Sequence, residues 1–207
     1  RLDHFRGMAA YWRVNGNSKT AIHGKWINSP GKILLNKLKN DLGNDYLPII
    51  AEDLGVITPD VEKLRNNFEL PGMKILQFAF DGNQDNPYLP KNIKGENWVV
   101  YTGTHDNSTS MSWWHSLEYD SKKRLKNEYK FSDNPSWSLI KIGMKTNAHL
   151  FIAPIQDILS LDDSSRLNIP GTTKNNWKWK LNRPLEEIED KIKLFSELGN
   201  IYGRIRK

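Results

Sequence analysis

Four apolar runs of strand length, each closing on a carboxylate, constrain this chain more than any other feature. They are YLPIIAED (46–53), MKILQFAFD (73–81), WVVYTGTHD (98–106) and AHLFIAPIQD (148–157). Each is nearly continuous in apolar residues, the pattern of a strand buried on both faces of a parallel sheet. Helical patterns lie between them. GKILLNKLKNDLG (31–43) predicts a helix with Ile33, Leu34, Leu38 and Leu42 on one face and Gly43 as its stop. TPDVEKLRNNF (58–68) predicts another, with Thr58 as N-cap and Pro59 at the first helical position. Further helices are expected near 120–130 and 135–146, and an amphipathic one over 184–202. The first three runs begin at 46, 73 and 98, so 27 and 25 residues apart, the spacing of βα repetition. The chain reads as α/β.

In βα units the chemistry gathers at the C-terminal ends of the strands. The terminal acids either cap the helices that follow or converge as an acidic rim, and four in succession favour the rim. Two carboxylates flanking a bond, one nucleophile and one general acid, are the apparatus of retaining glycoside chemistry. Such acids must come from different strand ends to face each other across a sugar. Asp3, Glu52 and Asp106, separated by 49 and 54 residues, are acids of that kind. Metal binding is the rival use of an acidic rim. No His-x-x-x-His pair and no calcium-loop pattern occurs, so a metal ranks low. No P-loop, dinucleotide glycine pattern or G-x-S-x-G is present, and no cofactor is expected.

Composition narrows the partners. The net charge of +6 comes from Lys spread thinly; its densest clusters, SKKRLK (121–126) and GRIRK (203–207), read as a solvated helix face and a tail. No nucleic-acid partner is expected on that basis. The absence of cysteine excludes disulfides, thiolate metal sites and a cysteine nucleophile, and suits a reducing compartment. No stretch approaches the ~18 apolar residues of a membrane span, and no signal peptide is seen, so no membrane partner is expected. Eight Trp, seven Tyr and seven Phe stand largely beside polar residues. They serve either as core or as platforms for sugar rings. The opening RLDHFRG (1–7) is either a basic arm or the interior of a longer sequence.

RLDHFRG, IAEDLG (50–55), MKILQFAFDG (73–82) and YTGTHDN (101–107), followed by APIQDILSL (153–161) and LNIPGTTKNNWKWKL (167–181), resemble the 4-alpha-glucanotransferases, the amylomaltases or disproportionating enzymes. The likeness includes TAIHGKW (20–26) and ITPDVEKLRNNFELPGMK (57–74) and runs on to YGRI (202–205). It implies a (β/α)8 barrel, of which this chain would be the C-terminal portion, from the end of strand four through strand eight. Residues 1–207 would then be one partial catalytic barrel domain with the N-terminal half missing. The resemblance also implies site residues. Asp3 would be the nucleophile, Glu52 the general acid/base and Asp106 the acid that stabilises the transition state. Arg1 resembles the arginine that holds the nucleophile, and His105 a donor to sugar hydroxyls. His4, Asp81 and Asn168 match positions in or near the sugar site, while Asp53 and Asp157 fit a capping or supporting role.

These residue types suit the chemistry. A nucleophilic carboxylate works as the anion, which a neighbouring guanidinium favours. An acid/base must carry a proton near neutrality, which calls for desolvation or a second carboxylate close by. Transfer outruns hydrolysis only in a dry site that binds an acceptor sugar well. Trp12, Trp113 and Trp114 either stack on sugars there or pack in the core. Two departures from the family pattern stand out. Ser108, Thr109 and Ser110 follow HDN where an acid and two threonines are expected, and Asn15 follows YWRV where a proline is expected. Residues 11–26 are expected as a loop.

The implied partners are α-1,4-glucans and maltooligosaccharides, together with the missing half of the barrel, in bacterial cytoplasm or plastid stroma. A barrel of eight strands needs roughly 250 residues, so this chain alone is expected to be inactive and prone to aggregate. The alternatives are an α-glucan hydrolase using the same acids, a non-catalytic carbohydrate-binding fragment and, third, a basic nucleic-acid binder.

Overall fold

Residues 1–205 are described in the computed structural model, so the last two residues of the basic 203–207 segment lie outside the described part. The chain divides into one unit of Arg1–Met73 and another of Lys74–Lys207.

In the first unit a single turn of helix, α1 (Arg6–Ala9), passes directly into an antiparallel hairpin of β1 (Ala10–Val14) and β2 (Gly24–Asn28). The expected loop is therefore a β-ribbon. The β-formers Tyr11, Trp12, Val14, Trp26 and Ile27 and the Asn15-Gly16 turn signal account for it. Trp12 lies directly opposite Trp26 and packs edge-on to it at 5.4 Å. The Trp12 Nε1–H donates to the Ala21 carbonyl at 2.8 Å, folding the connecting loop back onto the ribbon.

Helix α2 (Gly31–Leu42) stops at Gly43, whose φ of 62° is left-handed, as expected of a glycine terminator. Its packing face differs from the expected one. Gly31 and Leu35 are buried and Leu38 half-buried, whereas Ile33, Leu34 and Leu42 are exposed. The 31–35–38 row meets the core formed by Phe5, Leu47, Ala51, Val61, Leu64 and Leu70, and the other leucines face away from it. Each fully buried Leu or Phe contributes about 1.5–3 kcal/mol over an exposed one. Helix α3 (Pro59–Asn67) starts on Pro59 as predicted and buries Val61, Leu64 and Arg65. Thr58 does not cap it with its side chain. Its hydroxyl donates to Asp60 at 2.5 Å and accepts from the Arg6 guanidinium at 2.8 Å, and the Thr58 bond holds the Asp60 pKa below the usual carboxylate value.

The 46–53 run forms no regular strand. Ala51 makes one parallel bridge with Leu2, supported by Leu2 N–H to the Ile50 carbonyl (2.8 Å) and Glu52 N–H to the Leu2 carbonyl (3.0 Å). On its other side the Ala51 N–H donates to the Pro71 carbonyl at 2.9 Å.

The sheet has the order β3 (Gly72–Ile75), β4 (Trp98–Tyr101), β5 (Leu150–Ile152), with β4 and β5 parallel. Between β4 and β5 lie α4 (Ser110–Ser116), α5 (Tyr119–Tyr129) and α6 (Pro135–Met144); α7 (Ile155–Ile158) and α8 (Glu189–Ile201) follow β5. Helix α4 carries no clear periodicity and was not expected. Its start is fixed by the Thr109 hydroxyl, which accepts the Ser112 N–H at 3.3 Å. All three strands are shorter than their apolar runs. After β3 the chain continues as a tight 3-10 turn, Leu76–Phe78, in which Leu76 and Gln77 stay buried. Burial, rather than extended geometry, sustains the apolar pattern there.

Helix α6 is the axis of this second unit. Leu139 packs into a cluster with Phe80, Val100, Trp114, Leu125 and Phe131, and its neighbour Ile140 into another with Trp137, Met144, Ile158 and Leu198. The Arg204 guanidinium closes the end of α6, donating to the carbonyls of Met144 (2.9 Å), Thr146 and Ala148, and its burial lowers its pKa.

Candidate active site

The first unit brings four predicted residues together. The Leu2–Ala51 bridge sets the end of segment 1–3 beside the end of segment 50–52, so Asp3 and Glu52 share one edge. The Arg1 Nε–H donates to Asp3 Oδ1 at 2.7 Å, and the Asp3 side chain is largely exposed. His4 follows with a left-handed backbone, φ 51°, a conformation that costs a non-glycine residue roughly 1–3 kcal/mol. That turn aims the His4 N–H at Glu52 Oε2, 2.7 Å away, while Leu54 N–H donates to Oε1 at 3.1 Å. Two backbone donors thus fix the orientation of the half-buried Glu52 carboxylate. His4 contributes its backbone here, and its imidazole lies exposed over Gly7.

Beside Glu52, Asp53 points the opposite way. It is buried, pairs with the Arg65 guanidinium and accepts the Met73 N–H at 2.7 Å. This terminal acid anchors structure, and Asp157 does the same in the second unit. One Asp157 oxygen accepts the Ser110 N–H at 2.7 Å, and the other accepts the hydroxyls of Thr102 (2.5 Å) and Ser110 (2.7 Å). Burial pushes the Asp157 carboxyl above the usual 3.8, against these three bonds, which favour the anion. Of the four run-ending acids, Asp53 and Asp157 are therefore tethers, while Asp81 and Asp106 stand exposed.

In the second unit the 103–108 loop presents Asp106. Asn107 folds its side-chain oxygen back onto Thr104 N–H (2.8 Å) and the Thr104 hydroxyl (2.9 Å). Gly103 permits the close approach of Gln77, since a Cβ there would sit 2.7 Å from Gln77 Nε2. Gln77 in turn donates to the Ser108 carbonyl at 2.9 Å. Asp106 Oδ1 receives Asn168 Nδ2 at 2.5 Å and lies 3.2 Å from His105 Nε2. Asp106, His105 and Asn168 thus form one group. Asp81 is apart from it: its carboxylate accepts the Asn83 N–H at 2.9 Å, and among the described residues no hydrogen bond or ion pair joins it to Asp106.

Of the two roles open to the tryptophans, packing is the one seen. Trp113 and Trp114 pack in the core, Trp114 stacked on Phe131 at 5.4 Å, and Trp12 belongs to the hairpin. A tryptophan stands instead beside His105: Trp177, 4.9 Å from that ring and 62% exposed. Its N–H donates to the Leu167 carbonyl at 2.7 Å from a left-handed backbone. Arg166 was also missed, although both residues flank or lie within the LNIPGTTKNNWKWKL motif that carried the family resemblance. Among the described residues, no three His, Cys, Asp or Glu side chains cluster as a metal site. None of the described helices is long and apolar enough to cross a membrane.

Each unit thus holds an acid edge of its own: Asp3 and Glu52 set by Arg1 and two backbone N–H groups in the first, Asp106 set by the Asn168 amide beside His105 in the second. The glycoside hydrolase family 77 profile, described as 4-alpha-glucanotransferase, matches residues 1–186, and the chain belongs to that family. A 4-alpha-glucanotransferase of Synechocystis sp. is 45% identical over 207 residues, covering 99% of this chain and 40% of its own length. The Arabidopsis thaliana 4-alpha-glucanotransferase DPE1, chloroplastic/amyloplastic, is 42% identical over 209 residues, covering 99% and 36%. An amylomaltase from Streptococcus agalactiae, solved in complex with acarbose, matches with a TM-score of 0.89 at 34% identity, over 99% of this chain and 41% of that one. The chain spans about two-fifths of the length of these relatives.

Proposed function

We propose that this chain carries the three catalytic acids of a 4-alpha-glucanotransferase, which moves a segment of an α-1,4-glucan to the 4-hydroxyl of glucose or another glucan. Family membership over residues 1–186 is the observation that carries the reading. The donor-held state of the three acids, Asp3 and Asp106 exposed and Glu52 half-buried, supports it.

An Asp3 oxygen attacks the anomeric carbon as the bond to the leaving glucan oxygen breaks, and the Glu52 proton passes to that oxygen. The glycosyl ester on Asp3 is then attacked by the acceptor hydroxyl, whose proton goes to Glu52 as the Asp3–carbon bond breaks. Two inversions retain the α configuration. Asp106 sits against the positive charge that develops on the ring. Arg1 holds the nucleophile, and His4, Asp81, His105 and Asn168 contact sugar hydroxyls.

In this reading residues 1–207 are part of one catalytic (β/α)8 barrel, from the end of strand four through strand eight. The parallel pairing of β4 and β5 and the apolar residues left exposed on α2, β5 and α8 (Ile33, Leu34, Leu150, Ile192, Leu194) support it. The rest of the barrel is then the further partner, with maltooligosaccharides as substrates. The Arabidopsis relative's chloroplastic/amyloplastic name and the bacterial relatives support a plastid stroma or bacterial cytoplasm.

A chimera tests the function: these 207 residues in place of the matching segment of the Synechocystis relative. It is expected to release glucose from maltotriose while forming longer glucans, and Glu52→Gln is expected to cost about 10²–10⁴-fold. Hydrolysis without longer products, or full activity in Asp3→Asn, overturns the assignment. The 207-residue chain assayed alone is expected to be inactive, and robust glucose release from it would sink the partial-barrel reading.

A further inference from the structure

The geometry points to Arg166 as the positioning residue of Asp106, a single guanidinium that clamps the 104–108 loop to the 163–168 segment and so aims the carboxylate. Arg166 Nε–H donates to the Asn168 carbonyl at 2.8 Å, and Nη2 to the Asp106 carbonyl at 2.6 Å. Nη1 donates to the Ser108 hydroxyl at 3.1 Å and lies 3.6 Å from Asp163 Oδ2. The side chain is 18% exposed, so these bonds are partly shielded from water. The guanidinium spreads five N–H donors over three nitrogens in one plane, so it spans partners that a lysine, with its donors on a single nitrogen, cannot reach together.

Each partner transmits the clamp. Asp163 Oδ1 accepts the Thr109 N–H at 2.7 Å, which ties the guanidinium's carboxylate partner to the start of α4. Asn168, with its carbonyl fixed by Arg166, donates its N–H to the His105 carbonyl (3.2 Å) and its side-chain amide to Asp106 Oδ1 (2.5 Å). Asn168 and His105 both address Oδ1, and among the described residues no donor takes Oδ2. The clamp therefore leaves one working oxygen, Oδ2, on a side chain that is 47% exposed. Ser108 is the weak arm, a neutral hydroxyl where a carboxylate would pair with the guanidinium.

The catalytic weight of this inference rests on the role proposed for Asp106, but its first test does not. In the 207-residue chain labelled with ¹⁵N-asparagine, the Asn168 side-chain amide is expected well downfield because of its short bond to Asp106. Arg166→Ala is expected to move it to the position of a solvated amide, and millimolar guanidinium to restore it. An unchanged Asn168 signal in Arg166→Ala overturns the clamp, as does a loss that guanidinium cannot reverse in a folded protein. If Arg166→Ala does not fold, Ser108→Ala removes one arm alone. A partial move of the same signal is then expected, and no move overturns the inference. In the chimera, Arg166→Ala is expected to lower kcat about 100-fold with KM little changed, and a KM effect alone counts against positioning. An inactive chimera with the amide response intact would sink the functional reading and leave the clamp standing.

Discussion

The two units hold their acids by opposite means. In Arg1–Met73 the carboxylates are set by backbone: a bridge of one residue pair, a left-handed turn and two N–H groups orient Asp3 and Glu52, with one side chain, Arg1, assisting. In Lys74–Lys207 Asp106 is set by side chains drawn from far along the sequence, Asn168 and Arg166 lying about sixty residues downstream. Backbone control is insensitive to the identity of most side chains but depends on the bridge staying formed. Side-chain control survives small backbone shifts but fails with a single substitution. The buried tethers follow the same division, Asp53 pairing with a charged arginine and Asp157 with neutral hydroxyls.

Breaking the charged tether is expected to have the largest effect. Arg65→Met removes the cation that faces the buried Asp53 carboxylate, a loss of about 3–5 kcal/mol. Hydrogen exchange should show protection falling across 50–73 while the α6 amides keep theirs; equal loss in both would remove the distinction between the units. Asp157→Ala is next, at about 1–3 kcal/mol for each donor it strands, and here α6 should suffer first. Asp157→Asn sharpens the contrast through pH. Asp157 binds its proton more tightly folded than unfolded, so its contribution is greatest below the ordinary 3.8 and declines as pH rises through the raised folded value. The asparagine variant is expected to lack that decline, read as urea midpoints across acidic pH. A parallel pair of curves would refute it.

Smaller changes probe each scheme locally. Trp12→Ala removes the cross-strand aromatic pair and is expected to cost about 0.5–1.5 kcal/mol, visible as faster exchange in β1 and β2. Ser108→Asp places a carboxylate on the Arg166 fork and is expected to stabilise the second unit by about 0.5–1 kcal/mol, read as a raised thermal midpoint that salt diminishes.

Much of this was legible in the sequence. The helices at 59–67, 119–129 and 135–144 follow from periodicity and from proline and cap signals, because those rules are local. The acids were visible because strand ends concentrate them. What escaped was decided by distant contacts. The 46–53 run reads as a strand, yet it pairs only around Ala51, through the Leu2 bridge on one side and the Pro71 carbonyl on the other. Ile33 and Leu34 match an amphipathic face as well as Leu35 does, and only the position of Phe5 and Leu47 selects between them. Trp177 and Arg166 gave no local sign of a place beside Asp106, since the contacts that bring them there, to His105 and to the Asp106 carbonyl, reach some sixty to seventy residues upstream.

Glu52 and Asp53 place a solvent-facing acid directly before a buried one, so the first edge stores its chemistry as a matter of parity. A slip of one residue in this extended segment exchanges the two faces, sending the longer acid into the Arg65 niche and the shorter one outward. Insertion of a single residue between Pro48 and Ala51 is thus a more complete lesion than deletion of either carboxylate. A two-residue insertion keeps the facing but carries both acids about 7 Å along the segment, away from the His4 N–H and the Arg65 guanidinium alike.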